Sequence, residues 1–137
     1  MTKKQSLPIV VAVATVALGW TIVNPNAKFG LSRFAVTTYS RVPIPLVDVL
    51  IRQDGAVRAA LKSHDLGAQR LAWLVAGPAP EVLVVGLGWE EAAHLAEDFR
   101  APHGTRVVAL PTPDALAYFN SLRDLGVRVA IYVHSTC

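Results

Sequence analysis

The chain has 137 residues, a formal net charge of +3 and a hydrophobic fraction of 53%. This length allows one domain of ordinary size with a sizeable buried core. Apart from Lys3 and Lys4, the basic residues are scattered singly. Nucleic-acid-binding surfaces cluster their cations among aromatic residues, so a nucleic-acid partner is not expected. The single cysteine, Cys137, excludes an intrachain disulfide and a CxxC metal or redox motif.

The excess hydrophobicity is concentrated in residues 7–23, seventeen positions without a charged side chain. As a helix this run would be about 25 Å long, at the short end of what crosses the hydrocarbon layer. Pro8 falls in the first turn, where its missing N–H costs nothing. Trp20 lies near the far end, where indoles favour the membrane interface. We therefore predict that residues 1–26 form a polar tail and a single transmembrane helix in the lipid bilayer.

Three other interpretations of residues 7–23 stay open. The basic start and apolar centre fit a cleaved signal peptide, although no Ala-x-Ala-like cleavage site follows. The Val and Ile content fits a pair of buried strands, although the run lacks polar alternation and a turn signal. A core helix is the third interpretation, although such a helix normally has a polar face.

The orientation of the predicted membrane helix is weakly specified by its flanks. Lys3 and Lys4 precede the run, and Lys28, Arg33 and Arg41 follow it. Under the positive-inside rule these flanks nearly balance, and the pair nearest the membrane slightly favours an amino terminus inside. The expected location is a bacterial inner membrane or its equivalent, with the domain on the outer, periplasmic face.

Residues 27–45 are predicted to form a linker or edge region, with Phe29 and Phe34 near the membrane surface or the domain. Pro43 and Pro45 make this stretch extended and exclude it as a central strand. Residues 46–52 then predict a strand. The Gln-Asp-Gly-Ala sequence at 53–56 is a hairpin signal leading into a return strand.

Helical and strand patterns alternate over the rest of the domain, which is predicted to span residues 46–137. The predicted elements are a helix at 67–76, a strand at 81–85, a helix at 90–99, a strand at 105–110, a helix capped by Thr112 and begun by Pro113, and a strand at 127–134. This βαβαβ order implies parallel strands with right-handed crossovers. We thus predict an α/β fold, a layered sandwich with a partly parallel sheet.

The motifs that invite a chemical interpretation are incomplete. Gly86 and Gly88 follow a strand, but Glu91 stands where a dinucleotide-binding motif has its third glycine. Glu90 and Glu91 would repel a pyrophosphate at that helix start, so no nucleotide cofactor is expected. The four histidines match no zinc spacing, and no metal is expected. His134 and Ser135 are adjacent on a strand and point to opposite sides, so we predict no catalytic residues.

Several ordered blocks of the sequence resemble a known family. The blocks are Pro-Glu-Val-Leu-Val-Val-Gly-Leu-Gly at 80–88, Leu-Pro-Thr-Pro-Asp-Ala at 110–115, Tyr-Phe-Asn-Ser-Leu at 118–122, Gly-Val-Arg-Val-Ala at 126–130 and His-Ser-Thr-Cys at 134–137. Over residues 46–137 they are similar to the Mth nine-three-eight-like domain family, which includes assembly factor three of mitochondrial complex I. The resemblance implies a β-plus-α/β sandwich and carries over no catalytic residues. This sequence departs from the family pattern in two places. The segment at residues 88–104 is shortened, and residues 56–61 lack the tryptophans often found there.

The anchor and the resemblance together lead to an expected function. We expect a non-enzymatic accessory or assembly subunit of an integral membrane protein complex, respiratory or photosynthetic. Gly19 and Trp20 would contact neighbouring helices in the membrane, and Phe29, Phe34 and Trp89 are candidate partner contacts on the domain. The alternative is an enzyme or small-ligand protein that uses the crevice between the turn from Gly86 to Trp89 and Asp114.

Overall fold

The computed structural model describes residues 26–33, 36–45 and 47–135, with two helices and ten strands in these ranges. The strands are β1 Phe29–Arg33, β2 Val36–Tyr39, β3 Val42–Pro45, β4 Asp48–Ile51, β5 Val57–Ala60, β6 Asp65–Leu66, β7 Val82–Gly86, β8 His94–Leu95, β9 Arg106–Leu110 and β10 Val129–Val133. The helices are α1 Ala68–Val75 and α2 Thr112–Asp124.

The central sheet has five strands in the order β5-β4-β10-β7-β9. Strand β10 pairs in parallel with β7, and β7 pairs in parallel with β9. On the other side of β10, strands β4 and β5 form an antiparallel hairpin that closes at Gly55, whose φ of 92° suits glycine. The predicted α/β fold with a partly parallel sheet is therefore confirmed. All five residues of β7 and of β10 are buried, as expected for central strands covered on both faces.

The two helices lie on opposite faces of this sheet. Helix α1 contributes Leu71 and Leu74 to a core formed with Leu83, Val85 and Tyr132. Helix α2 contributes its apolar side to a second core, whose members include Ala115, Leu116, Phe119, Leu122, Val129, Ile131 and Val133. The strand predicted at 127–134 is confirmed as β10, in which Val129, Ile131 and Val133 face α2 while Ala130 and Tyr132 face α1.

Residues 27–45, predicted as a linker or edge region, form a small antiparallel sheet in the order β1-β2-β3. The proline-containing strand β3 is at its edge, as the missing N–H groups require. The sheet is tied to the domain because the ring of Phe29 packs against that of Phe119 on α2, with centroids 5.3 Å apart. The amide of Phe29 also donates to Asn120 Oδ1 at 2.9 Å, and Asn120 Nδ2 donates to the Phe29 carbonyl at 2.8 Å.

Two local predictions were wrong. Residues 90–99 are not helical, because their amides pair with a neighbouring segment instead of their own turn. His94 N donates to the His64 carbonyl at 2.8 Å, and Ala96 N donates to the Leu66 carbonyl at 3.0 Å, so this stretch contains β8 paired with β6. Thr112 does not cap α2: it is the helix's first residue, Pro111 is at the N-cap position, and the Thr112 hydroxyl bonds elsewhere.

The predicted membrane segment at residues 7–23 lies outside the described residues. Within 26–33, 36–45 and 47–135, no helix combines the length and the apolar character needed to cross a bilayer.

Candidate functional site

The carboxyl ends of the parallel strands are closed by a set of hydrogen bonds centred on Thr112. Its buried hydroxyl accepts from Gly88 N at 2.9 Å and donates to the His134 carbonyl at 2.7 Å. A Cβ at Gly86 would lie 3.1 Å from this hydroxyl oxygen, so a larger residue there would require Thr112 to shift by a few tenths of an ångström. The turn from Gly86 to Trp89, beside which a crevice was predicted, is bonded to the start of α2 through Gly88 and Thr112, and Asp114 lies exposed on the first turn of α2.

A buried carboxylate lies beside that closure, at the start of β4. Asp48 is 0% exposed and accepts a hydrogen bond from the Tyr132 hydroxyl at 2.5 Å. His134 Nδ1 lies 3.0 Å from its Oδ1 and 3.1 Å from its Oδ2. Ser63 N adds a weaker contact to Oδ2 at 3.3 Å. The three donors make burial of this acid tolerable, since a buried polar group without partners is costly.

The polar atoms of this cluster form a connected set of contacts. His134 Nδ1 donates to the Asp48 carboxylate in the tautomer that carries its proton on that nitrogen. The pKa of the Tyr132 hydroxyl is raised, first by burial and then by its hydrogen bond to Asp48, so this phenol stays protonated. Arg70 opposes that shift: its Nη1 donates to the Tyr132 oxygen at 3.1 Å and to the Leu61 carbonyl at 2.6 Å. The result is a continuous chain from Arg70 through Tyr132 and Asp48 to His134.

The aspartate–histidine pair has the form of a general base, but its position is internal. His134 is 0% exposed, and among the described residues its Nε2 has no hydrogen-bond partner. The ring of His64 approaches it edge-to-face, with centroids 5.1 Å apart. A general base must reach a substrate proton through its second nitrogen. The whole imidazole is covered, and its contact with Asp48 links the start of β4 to the residue that follows β10.

An open groove of about 530 Å³ lies in front of this cluster, between α1 and β5. Its floor includes Leu50 and Ala60, and its basic and aromatic lining comprises Arg58, Arg70 and Trp73. Two guanidinium groups lie over the Trp73 ring, that of Arg58 at 4.5 Å and that of Arg52 at 5.0 Å from the centroid. These cation–π contacts hold Arg58 at the groove wall.

The groove is acidic where α1 begins. Asp65 and Asp98 line it there, and Asp98 Oδ1 accepts from Ala68 N at 3.2 Å. The groove thus offers cations near Trp73 and carboxylates near Gly67. This distribution suits a ligand that carries both signs of charge.

The five predicted partner contacts have different locations. The ring of Phe29 is buried between Tyr39 and Phe119, so it belongs to the core and cannot meet a partner on the surface. Trp89 is half-buried at the carboxyl edge of the sheet. Gly19, Trp20 and Phe34 lie outside the described residues.

The buried cluster was missed in the sequence because its members are far apart in the chain. Asp48 and His134 are separated by 86 positions, and the strands β4 and β10 that bring them together are also distant in the chain. The available signal was Asp48 itself, a carboxylate inside an apolar strand, since buried acids are nearly always paired. Over the described ranges, no group of three or more His, Cys, Asp or Glu side chains is arranged to hold a metal ion.

Comparison with known proteins identifies the fold. No family model and no curated protein matches the sequence. The solved structure of MT938 is 28% identical, with a TM-score of 0.70, and the match covers 81% of this chain and 99% of that one. A Bordetella pertussis protein described as a Mth938-like domain is 17% identical, with a TM-score of 0.60, over 82% of this chain and 87% of that one. The chain has the Mth938-like fold.

A further bacterial structure is similar to this chain. A Bordetella parapertussis protein is 22% identical, with a TM-score of 0.67, and the match covers 80% of this chain and 95% of that one. Matches of about 80% to 82% of this chain are longer than residues 46–137, which make up 92 of its 137 positions. The similarity therefore reaches beyond the part of the chain in which the sequence blocks were recognised.

Proposed function

We propose that this protein is a non-enzymatic, membrane-anchored accessory or assembly subunit of a respiratory or photosynthetic membrane complex. The observation that carries the proposal is the uncharged run at residues 7–23 immediately before a folded α/β domain. Such a run prefers lipid to water, because each buried apolar residue gains free energy there and no charge opposes it. The domain would then be held beside its partner.

The contacts proposed for this role lie in two places. In the membrane, Gly19 and Trp20 would pack against helices of the partner, since small residues allow close helix approach. On the domain, Trp89 offers a half-buried indole at the carboxyl edge of the sheet. Phe29 is removed from this set because it is buried, and Phe34 stays a proposed contact.

Arginine substitutions within residues 7–23 test the proposed membrane anchor. We expect the double substitution Val13→Arg and Val16→Arg to release the chain from membranes during a sodium carbonate wash. Each arginine at the centre of a membrane helix costs about 2.5 to 3.5 kcal/mol. The matched control places two arginines in the exposed part of the domain, Ala59→Arg and Ala72→Arg, and should stay in the pellet.

Retention alone does not establish an accessory role, so the partner must also be sought. The wild-type chain should co-purify with a membrane complex after gentle solubilisation in mild detergent, and the charged double variant should not. A wild-type chain that is retained in membranes but migrates as a free monomer would contradict the accessory role and leave the anchor standing.

The groove supports a second candidate function, binding of a small amphoteric ligand. The observation that favours it is Arg58, an exposed cation held on Trp73 beside the apolar floor and facing the acidic end at Asp65 and Asp98. The groove is separate from the crevice predicted near Gly86 and Asp114, since its lining includes neither residue. A carboxylate near Arg58 and an amine near Asp98 would match the charges on the lining.

Short peptides with free ends are suitable probes of the groove. We expect a di- or tripeptide to raise the midpoint of thermal unfolding of the full chain, since a ligand that binds only the folded state stabilises it. The same peptide with an amidated carboxyl end should lose most of the effect. Arg58→Ala should abolish it, whereas Lys62→Ala, which removes an exposed cation outside the lining, should not. No shift with any peptide would exclude this function.

A further inference from the structure

The end of the domain at which the parallel strands begin is joined closely to the predicted anchor. Only Asn24, Pro25 and Asn26 separate Val23, the end of the uncharged run, from Ala27. Ala27 is 5% exposed and belongs to the core. Three residues reach about 11 Å when fully extended. The headgroup layer on one side of a bilayer is itself about 5 to 8 Å thick.

The segment by which the chain enters the domain, Ala27 to Phe29, is fixed by contacts with the last turns of α2. Arg123 Nη1 donates to the Ala27 carbonyl at 2.8 Å. Lys28 Nζ lies 2.8 Å from Asp124 Oδ1. Together with the paired hydrogen bonds between Phe29 and Asn120, these contacts set which face of the domain lies next to the anchor. The domain cannot swing to another face without breaking them.

We infer that this face, formed by Asn26, Lys28, the β4–β5 turn and the α2–β10 loop, rests on the lipid headgroups with Leu125 at the contact. The inference rests on the proposed membrane anchor. The parts of this face surround one depression of about 370 Å³. It is lined by Asn26, Gln53, Asp54, Arg123, Gly126, Val127 and Arg128. Leu125, beside this depression, is 77% exposed, one of two large apolar side chains exposed in the described part of the domain.

The charges on this face favour contact with lipid irrespective of headgroup charge. The cations are Lys28, Arg52, Arg123 and Arg128, and the anions are Asp54, Glu81 and Asp124. Three ion pairs, at 2.8, 2.7 and 3.9 Å, join these anions to Lys28, Arg52 and Arg128, so four cations and three anions leave a net charge of only +1. Long basic side chains place their charged ends among headgroups while their stems and Leu125 lie deeper.

This orientation determines what the domain presents to a partner. Strands β7, β9 and β10 run in parallel away from the membrane-facing end. Each of these five-residue strands is about 16 Å long, at about 3.3 Å per residue. Trp89, the Asp48–His134 pair and the mouth of the groove near Asp65 therefore lie on the side away from the bilayer. A partner contact at Trp89 stays free of the membrane.

Fluorescence quenching by lipid tests the inference on the full-length chain. In a Cys137→Ser background, a fluorophore is attached at Leu125→Cys or, as the matched control, at Glu90→Cys, an exposed site at the other end of the sheet. The protein is reconstituted into phosphatidylcholine vesicles that contain a headgroup nitroxide lipid. We expect several-fold stronger quenching at position 125 than at position 90, with little change when anionic phosphatidylglycerol is added.

The outcomes separate the inference from the proposed function. Equal quenching at the two positions in a chain that resists carbonate washing overturns the inference and leaves the anchor intact. A chain that washes off overturns both. Insertion of ten Gly/Ser residues between Pro25 and Asn26 lengthens the connection by about 17 Å on average and should lower quenching at position 125 to the level at position 90. Unchanged quenching after insertion would refute the short connection as the cause.

Discussion

Asp48→Ala is expected to destabilise the domain by about 3 to 5 kcal/mol, because it removes the acceptor at the centre of a buried polar chain. The substitution leaves the Tyr132 hydroxyl and His134 Nδ1 facing each other without the carboxylate between them. It also removes the group that keeps Arg70 oriented through Tyr132. Because β4 and β10 are neighbours in the central sheet, the substitution weakens the attachment of two paired strands in the core.

Denaturant unfolding of the full chain in mild detergent measures this effect. Asp48→Asn keeps the shape and one acceptor while removing the charge, so its cost should be clearly smaller than that of alanine. Asp114→Ala removes an exposed carboxylate from α2 and should change the free energy of unfolding by less than about 0.5 kcal/mol. If Asp48→Ala is as mild as Asp114→Ala, the polar chain does not hold the two strands together.

The central sheet could be predicted from the sequence because its signals are local. The apolar run that forms β7 and the alternation in β10 are properties of consecutive residues, and both strands were found close to their observed bounds. The β4–β5 hairpin likewise depends on Asp54 and Gly55, where the Asp54 side chain accepts from Ala56 N at 3.0 Å. For these elements, local preference and tertiary packing favour the same structure.

The parts that could not be predicted depend on partners distant in the chain. Residues 90–99 have a helical pattern, yet the amides of His94 and Ala96 bond to a segment about thirty positions earlier. Tertiary pairing therefore overrides helical propensity there. Thr112 has the residue type of an N-cap, but its hydroxyl joins Gly88 to His134. The buried Asp48 cluster and the groove needed the same long-range information, because their members come from separate strands and helices.

Phe119→Ala is expected to cost about 3 to 5 kcal/mol, as large truncations in well-packed cores do. Phe119 is 0% exposed and contacts the ring of Phe29, and the guanidinium of Arg123 lies 4.6 Å from its ring centroid. The substitution therefore weakens both the core and the attachment of β1 to α2. Amide hydrogen exchange should show the greatest increase in β1 and β2, which depend on that attachment.

A double-substitution cycle with Phe29→Ala tests whether the two rings act as a unit. Phe29→Ala alone should also destabilise the domain, and the double variant should cost less than the sum of the two single costs, because an aromatic pair contributes about 0.5 to 1.5 kcal/mol beyond the area it buries. Leu61→Ala, at a side chain 85% exposed, is the matched control and should be nearly neutral. Additive costs would mean that the small sheet is held by the Asn120 and Arg123 hydrogen bonds instead.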